Sequence, residues 1–524
     1  MTRIEVHNVM SQLHTEKEAL RVVRHHVAYR KRLMPPVEAQ KIIKRFYSAR
    51  RRYGGVGDIA RLFADESTCA ELEALGVTAE TLTRPQFEST VRQRGVWDGW
   101  VRLVNADGSF PTGLLRHVER ALTLRLGVEY TISDERVVPA RGVPWASLDL
   151  YDYQEAAVEA FLAAGRGVVD LPPRSGKTRI AVAVSAALGV PTLYIAPTIG
   201  IVNQTAGVFQ ALLPHKTTIG VHSGLSSSAK THRKLVAADV IVATPQTATK
   251  LPNLHTRLLL IVDEFHHSAA KTWQAASVAC SSAFWRLGLT GTHFRADGKD
   301  LEMAGVLGRS IYSRSVGDMV EAGRLVPARI AMLRIRGSLK ASGYDIYKQG
   351  VVESLLRNQA LADAANALVR RGRRVLILVK EISHAQKLSM MVKGAVAVDG
   401  RDNDRVDEML KKLEKGEVSA VVGTSVIGEG RDVPAADALV YASAGQSKVK
   451  VVQDYFRALT ASEGKQSAIV VDAADTHHAT LLDHSARRLQ HYRGEKAFLA
   501  EVVEPNEFEK WLDDNDVSSQ RHIE

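Results

Sequence analysis

Two cysteines in 524 residues, Cys69 and Cys280, are too few for a disulfide framework and too far apart for a metal-binding pair. A reducing, intracellular compartment is expected. No apolar run approaches the roughly eighteen residues that a membrane span needs. The opening MTRIEVHNVMSQLHTEKE has no apolar stretch behind its first basic residue, so no secretory signal is read there. Histidine pairs at His25-His26, His266-His267 and His477-His478 stand without Cys, His or Asp at ligand spacing. No chelating cluster is expected from them. Short repeats and low-complexity blocks are also missing.

Positive charge is what the chain has in excess: 69 Lys+Arg against 58 Asp+Glu, a net +11. That sign favours polyanionic partners and leaves the fold open. The apolar fraction of 45% and charged fraction of 24% are ordinary for globular chains. At roughly 100–200 residues per domain the length predicts about three or four domains. Residues 1–146 are basic and mixed, with eleven Lys or Arg and one acid, Glu38, between Arg21 and Arg52. From Ser147 short β-rich runs alternate with helical stretches, the pattern of βα units on a parallel sheet. The runs are Gly167–Leu171, Thr192–Ala196, Val240–Ala243, Leu258–Val262 and Arg286–Leu289. A polar zone from Tyr312 to Tyr347 reads as irregular and places a connector over 313–355. The β/α texture resumes with Val375–Val379, Ala420–Gly423, Ala438–Ala442 and Ala468–Asp472. The tail, 476–524, reads as helical over Ala479–Glu501 and then acidic. The expected fold class is α/β: two tandem parallel-sheet domains, 147–312 and 356–475, behind a small basic α+β N-terminal domain.

Leu171-Pro-Pro-Arg-Ser-Gly-Lys-Thr178 lies directly between a strand-like GVVDL and a helix-like RIAVAVSAAL. Backbone N–H groups at a helix start form an anion site, which a lysine and a hydroxyl extend to phosphate and Mg2+. Leu171 stands where the strict G-x4-G-K-[ST] pattern has its first glycine, so the strand–loop–helix context carries much of the signal. Pro173, Arg174, Ser175 and Gly176 supply the loop, with Lys177 and Thr178 for phosphate and metal. Leu258-Leu-Leu-Ile-Val-Asp-Glu-Phe-His266 is an apolar strand ending in two acids. A carboxylate there can hold Mg2+ while its neighbour orients or deprotonates the attacking water. The bland alternative is a surface acidic pair behind a core strand, and the upstream loop makes it the weaker reading. Asp263 is assigned to the metal and Glu264 to the base.

In this arrangement the chain resembles the superfamily 2 helicases of the DExH type. Leu150-Tyr-Asp-Tyr-Gln154 is similar to the family's adenine-reading segment, which implies roles for Tyr153 and Gln154. Ala196-Pro-Thr198 and Thr244-Pro-Gln246 resemble motifs that hold a nucleic-acid strand. Asp263-Glu-Phe-His266 resembles the DExH box, and Leu289-Thr-Gly-Thr292 the segment coupling hydrolysis to strand movement, so His266, Thr290 and Thr292 take coupling roles. Thr424-Ser-Val-Ile-Gly-Glu-Gly-Arg-Asp-Val-Pro434 resembles motif V, with Thr424 on nucleic acid and Gly430 and Asp432 on nucleotide. Gln453-Asp-Tyr-Phe-Arg457 occupies the place of motif VI. The resemblance implies two RecA-like domains, ATP and Mg2+ as cofactors, and Lys177, Asp263, Glu264, Gln453 and Arg457 as the catalytic set. Motif VI departs from its pattern: Phe456 replaces the glycine and Thr460 the second arginine. Either Arg457 suffices, or Lys465 or a partner supplies the charge, or hydrolysis is weak.

Gly95-Val-Trp-Asp-Gly-Trp-Val-Arg-Leu-Val104 and Phe110-Pro-Thr-Gly-Leu-Leu115 resemble the front domain of the UvsW-type phage recombination helicases, with an insertion near 33–92. Phe294-Arg-Ala-Asp-Gly298 and Val379-Lys-Glu-Ile-Ser-His384 echo the same relatives, and Arg295 is carried over as a nucleic-acid contact. Trp97 and Trp100 read more readily as core packing than as base stacking. Arg50, Arg51 and Arg52 read as a phosphate-gripping element against the bland alternative of a solvated helix face. The implied partner is branched DNA or an RNA–DNA hybrid, engaged by a monomer in the cytoplasm of a bacterium or phage-infected host. An RNA-remodelling ATPase, an ATP-switched binding protein and a restriction subunit are the rivals. No second Asp/Glu/Lys constellation suggests a nuclease within the chain.

Overall fold

The computed structural model describes residues 59–61, 109–116, 119, 132, 148–221, 229–264, 271–291, 300–399, 402–424, 436–445, 459–461 and 465–516. The chain divides into two compact units, one of residues 1–170 and 176–313, the other of 314–524 with Leu171–Ser175.

The first unit opens on a two-stranded antiparallel pair, β1 (Ile59–Arg61) with β2 (Ser109–Pro111). The stretch expected to be an insertion therefore contributes a strand to the front segment. Trp97, Trp100 and Arg50–Arg52 lie outside the described residues. Seven parallel strands follow: β3 (Arg166–Asp170), β4 (Thr192–Ile195), β5 (Thr218–Val221), β6 (Val240–Ala243), β7 (Leu259–Val262), β8 (Trp285–Thr290) and β9 (Ser310–Ser313). Their order is β5-β6-β4-β7-β8-β3-β9. Every residue of β4, β6, β7 and β8 is buried, as expected where helices cover both faces of a parallel sheet. Two buried arginines finish helices inside this unit. Arg257 donates to the carbonyls of Leu235 and Ala238 at 2.8 and 2.6 Å, at the end of the helix Ala229–Ala237. Arg286 donates to those of Ser277 and Cys280 at 3.1 and 2.7 Å, at the end of Lys271–Ala279. Cationic donors suit the carbonyl-rich C-terminal end of a helix.

The second unit holds β10 (Ala328–Ile335), β11 (Val375–Val379), β12 (Ala395–Val398), β13 (Ala420–Thr424), β14 (Ala438–Tyr441), β15 (Ala468–Asp475) and β16 (Phe498–Val503). All are parallel, in the order β12-β13-β11-β14-β15-β10-β16. Two expectations are corrected here. The zone read as an irregular connector contains β10, which pairs with β15 on one side and β16 on the other. The helix expected over Ala479–Glu501 stops at Arg493, and Phe498–Val503 is a strand before a last helix, Phe508–Asn515. Arg329 and Arg334 interrupt β10 as an apolar run, yet Ile330, Ala331, Met332 and Leu333 are buried. Sheet pairing overrides local preference in both segments.

Buried ion pairs tie this unit together. Arg357 meets Asp475 at 2.9 Å and Arg488 meets Asp472 at 2.7 Å, all four side chains fully buried. The Tyr492 hydroxyl donates to Asp472 at 2.7 Å. Beside them His384 is fully buried, its Nε2 2.8 Å from Asn358 Oδ1. Burial, helped by the charges of Arg357 and Lys387, pushes the His384 pKa down to about 3. The unfolded chain takes up this proton near pH 6.5, the folded one only near 3, so the unfolded state binds more protons between those values and stability falls as pH falls. The thermal midpoint of the second unit is expected to drop from pH 6.5 downward. His384→Gln should flatten that slope in circular-dichroism melts, and an unchanged slope would refute the assignment.

Candidate active site

The described site residues that follow the strands of the first sheet stand along its C-terminal edge. Thr244 follows β6, Thr198 follows β4, Asp263 follows β7, Thr290 ends β8, and the loop Leu171–Gly176 follows β3. These five strands are consecutive in the sheet. The C-terminal edge of a parallel α/β sheet is where such folds bind ligands. The loop expected to hold phosphate lies at one end of the row, and the residues expected to contact a nucleic-acid strand at the other.

The loop enters the helix Lys177–Leu188 through Gly176, whose φ of 73° is left-handed. A Cβ on Gly176 would lie 2.4 Å from Gln154 Nε2. Gln154 is 1% exposed. Its Oε1 accepts from Tyr151 N at 3.1 Å, and Nε2 donates to the Tyr153 hydroxyl at 3.4 Å. The residue expected to read adenine thus also wedges the phosphate loop against the helix Asp152–Ala164. Tyr153 is 9% exposed and Tyr151 is 44% exposed, their rings stacked 5.9 Å apart, so Tyr151 presents the open aromatic face. Arg179, which the motifs do not single out, donates to the carbonyls of Leu148 and Asp149 at 2.6 and 2.8 Å and fixes the approach to this helix. Gly176→Ala combines a left-handed backbone with a collision, each costing about 1–2 kcal/mol or more. ATP binding is expected to weaken about tenfold or more on that scale, measured by nucleotide titration.

Asp263 is 8% exposed, and its Oδ1 accepts from the N–H of Glu264 at 2.9 Å. Burial raises its pKa, while the Lys177 charge and the Tyr194 phenol pull it back. Tyr194 lies fully buried in β4, its own pKa raised by burial and then by Asp263. Sequence reasoning missed Tyr194, since nothing separates it from the other core residues of that strand. Glu264 has a φ of 47°, and Arg174 in the loop a φ of 71°. Left-handed non-glycine residues are costly and concentrate at functional sites. A buried carboxylate whose ionisation is opposed, a nearby lysine and a helix start free of acidic residues fit a Mg2+–polyphosphate group. Among the described residues no group of three or more His, Cys, Asp or Glu could chelate a metal by itself. That suits an ion completed by a ligand's phosphates.

The expected nucleic-acid residues are partly engaged within the protein. Thr198 caps the helix Ile199–Leu212 and accepts from Ile201 N at 3.4 Å. Thr244 is 7% exposed and donates to Thr247 at 3.0 Å, so its hydroxyl is committed internally. Thr290 is buried and pairs in register with Asp170 beside the loop. In the second unit Thr424 is half-buried at the end of β13. Thr460 bridges to Leu325 through its backbone, and its buried hydroxyl has no hydrogen-bond partner among the described residues. Lys465 donates to the Ala436 carbonyl at 2.8 Å, and burial lowers its pKa to about 8. His266, Thr292, Arg295, Gly430, Asp432, Gln453 and Arg457 lie outside the described residues. Among the described residues no helix is long and apolar enough to cross a membrane.

Residues 147–295 match the family described as Type III restriction enzyme, res subunit, and residues 357–461 match the helicase conserved C-terminal domain. The DNA 3'-5' translocase XPB2 of Sulfurisphaera tokodaii is 25% identical over 332 residues, covering 55% of this chain and 73% of its own. The DNA 3'-5' helicase XPB of Mycobacterium tuberculosis is 26% identical over 313 residues, and the match spans about half (54%) of its length. Among solved structures, the Type ISP restriction-modification enzyme LlaBIII bound to DNA shares the fold at 16% identity, over 73% of this chain and 33% of its own, with a TM-score of 0.51. T4 UvsW aligns over 86% of this chain and 98% of its own at 20% identity, with a TM-score of 0.39.

Proposed function

We propose, on the premise that the chain belongs to the superfamily 2 helicases, that this ATP-hydrolysing DNA helicase remodels branched DNA such as forks, R-loops, D-loops and four-way junctions. The observation that carries the branched-DNA reading is the front of the chain. Its W-D-G and P-x-G-L segments follow the UvsW-type pattern, and eleven cations against one acid precede them. A motor gripping DNA by its backbone needs such charge and is salt-sensitive and sequence-tolerant.

Lys177 and the amides of the loop hold the β- and γ-phosphates of ATP, with Thr178 and Asp263 as the Mg2+ ligands. When bound, the metal neutralises charge developing on the phosphates. Glu264 takes the proton of the attacking water, its carboxylate set by the left-handed backbone at φ 47°. Arg457 is the transition-state cation, aided by Gln453. Thr198, Thr244, Thr424 and Arg295 lie along the strand path, and His266, Thr290 and Thr292 couple the two. Monomeric action in the cytoplasm completes the proposal.

The test is ATP-dependent unwinding of matched fork, R-loop, blunt DNA and RNA duplex by the full chain, with Lys177→Ala as control. Faster turnover on forks and R-loops than on blunt DNA is expected. Equal or better RNA unwinding would replace this reading by RNA remodelling. A second reading, the motor of a restriction system, draws on the description of the family matched by 147–295. Under it, cleavage belongs to a partner and branched substrates have no advantage.

A further inference from the structure

We propose that the turn Thr112–Leu114 is a positioning element for the phosphate loop, seated on the helix Asp300–Leu307 through Gly113 and Gly305, so that DNA engaged by the front domain sets the rate of ATP hydrolysis. The inference rests on the reading that the front domain binds DNA.

At Gly113 the turn meets the main chain of the helix directly. A Cβ on Gly113 would lie 2.0 Å from the carbonyl oxygen of Ala304 and 2.6 Å from that of Gly305. A Cβ on Gly305 would lie 3.2 Å from Pro111 Cβ and 3.4 Å from its Cγ. Leu114, 4% exposed, closes over the seam.

From there the path toward the site runs through side-chain contacts at Gly308 and Gly167 and through main-chain pairing of two strands. The helix runs through Gly308, where a Cβ would meet Arg166 at 3.0 Å, into the edge strand β9. Val168 N donates to the Arg309 carbonyl at 2.9 Å. A Cβ on Gly167 would fall 2.4 Å from the Ile311 side chain. β9 therefore lies directly against β3, and β3 runs into the loop that ends at Lys177. The main-chain contact at Gly113 and the pairing of β9 with β3 have no rotamers with which to absorb a displacement. A shift of the front turn is passed to the helix, to β9 and to the strand that carries the phosphate loop. A leucine or methionine in place of any of these glycines would force the segments apart.

The experiment uses the full chain with a forked DNA and reads ATP turnover with and without DNA, DNA affinity by anisotropy, and the thermal midpoint. Gly113→Ala should keep the DNA affinity, while the ratio of the fork-stimulated to the DNA-free rate falls about fivefold or more, the usual size of such coupling. Gly305→Ala, a milder intrusion, should lose part of the stimulation. Adding Pro111→Gly, which removes the two atoms it meets, should restore it. Full stimulation in a folded Gly113→Ala protein would overturn the proposal. Equal loss of the DNA-free and stimulated rates, or failure of Pro111→Gly to rescue Gly305→Ala, would also overturn it. A wild-type protein that binds no fork, or is not stimulated by one, would instead overturn the DNA reading itself.

Discussion

Lys177→Ala lowers the turnover of ATP by about two to three orders of magnitude, the usual loss when one preorganised charge donor is removed from a reacting oxyanion. Glu264→Gln lowers it by about 10²–10⁴-fold, the span of general-base catalysis. The two differ in what they leave behind. In the proposed mechanism Lys177 binds phosphate in the ground state, so its loss should also weaken nucleotide binding. It also relieves the buried Asp263 carboxylate, so its loss lets the Asp263 pKa climb further. The lysine variant should therefore have an acid limb in its residual activity shifted to higher pH. Glu264→Gln should bind ATP as tightly as the parent and leave that limb in place. Phosphate release across a pH series, with nucleotide titrations of both variants, measures all of this. Near-normal turnover in Glu264→Gln would remove the base from its assigned role.

Ending the chain at Gly494 unfolds the second unit. The lost segment contains β16, the outer partner of β10, and the helix Phe508–Asn515. Phe508, Trp511 and Leu512 are 3%, 7% and 0% exposed and belong to the core shared with Leu333, Leu361 and Leu368. Burial of each such side chain contributes about 1.5–3 kcal/mol, against a total of about 5–15 kcal/mol for a whole domain. The acidic residues of the tail add less. Arg370 and Arg371 pair with Glu509 on the surface, where an ion pair gives about 0–1 kcal/mol. The buried pair of Arg373 with Asp516 is different, because removing Asp516 strands a desolvated guanidinium at about 3–5 kcal/mol. Thermal melts of the truncated chain should lose one transition and keep the other. Glu509→Ala should keep both with little shift, and Asp516→Ala should lower the second. A truncated chain melting like the parent would refute this account.

The strands read from sequence are the inner ones. β3, β4, β6, β7 and β8 in one sheet, and β11, β13, β14 and β15 in the other, are short runs buried on both faces. The missed β5, β9, β12 and β16 are the four sheet edges. Edge strands keep one side open, and exposed polar residues such as Glu501, Ser310 and Ser313 break the apolar run that reveals an inner strand. β10 is the exception, an inner strand hidden by Arg329 and Arg334, whose partners lie far along the chain. The candidate site was legible as residue types placed at strand ends and a helix start. Lys177, Asp263 and Glu264 follow from chemistry that needs those residue types at a strand end or helix start. Tyr194 and the commitment of Thr244 to Thr247 were not legible, since both depend on which neighbours the sheet supplies.

β10 also dictates when each half can be completed during synthesis. The first sheet draws all its strands from residues up to Ser313, so it can close while the remainder is still being made. The second cannot. β10 is translated early but waits for β15 and β16, and its neighbour Arg336 meets Glu504 only after a further 168 positions have been added. Contacts of such sequence separation form slowly, and until they form Ile330, Ala331, Met332 and Leu333 stand uncovered. On the ribosome the nascent protein carries a finished first sheet beside an apolar strand without partners. That interval is where aggregation would begin and where a chaperone would bind.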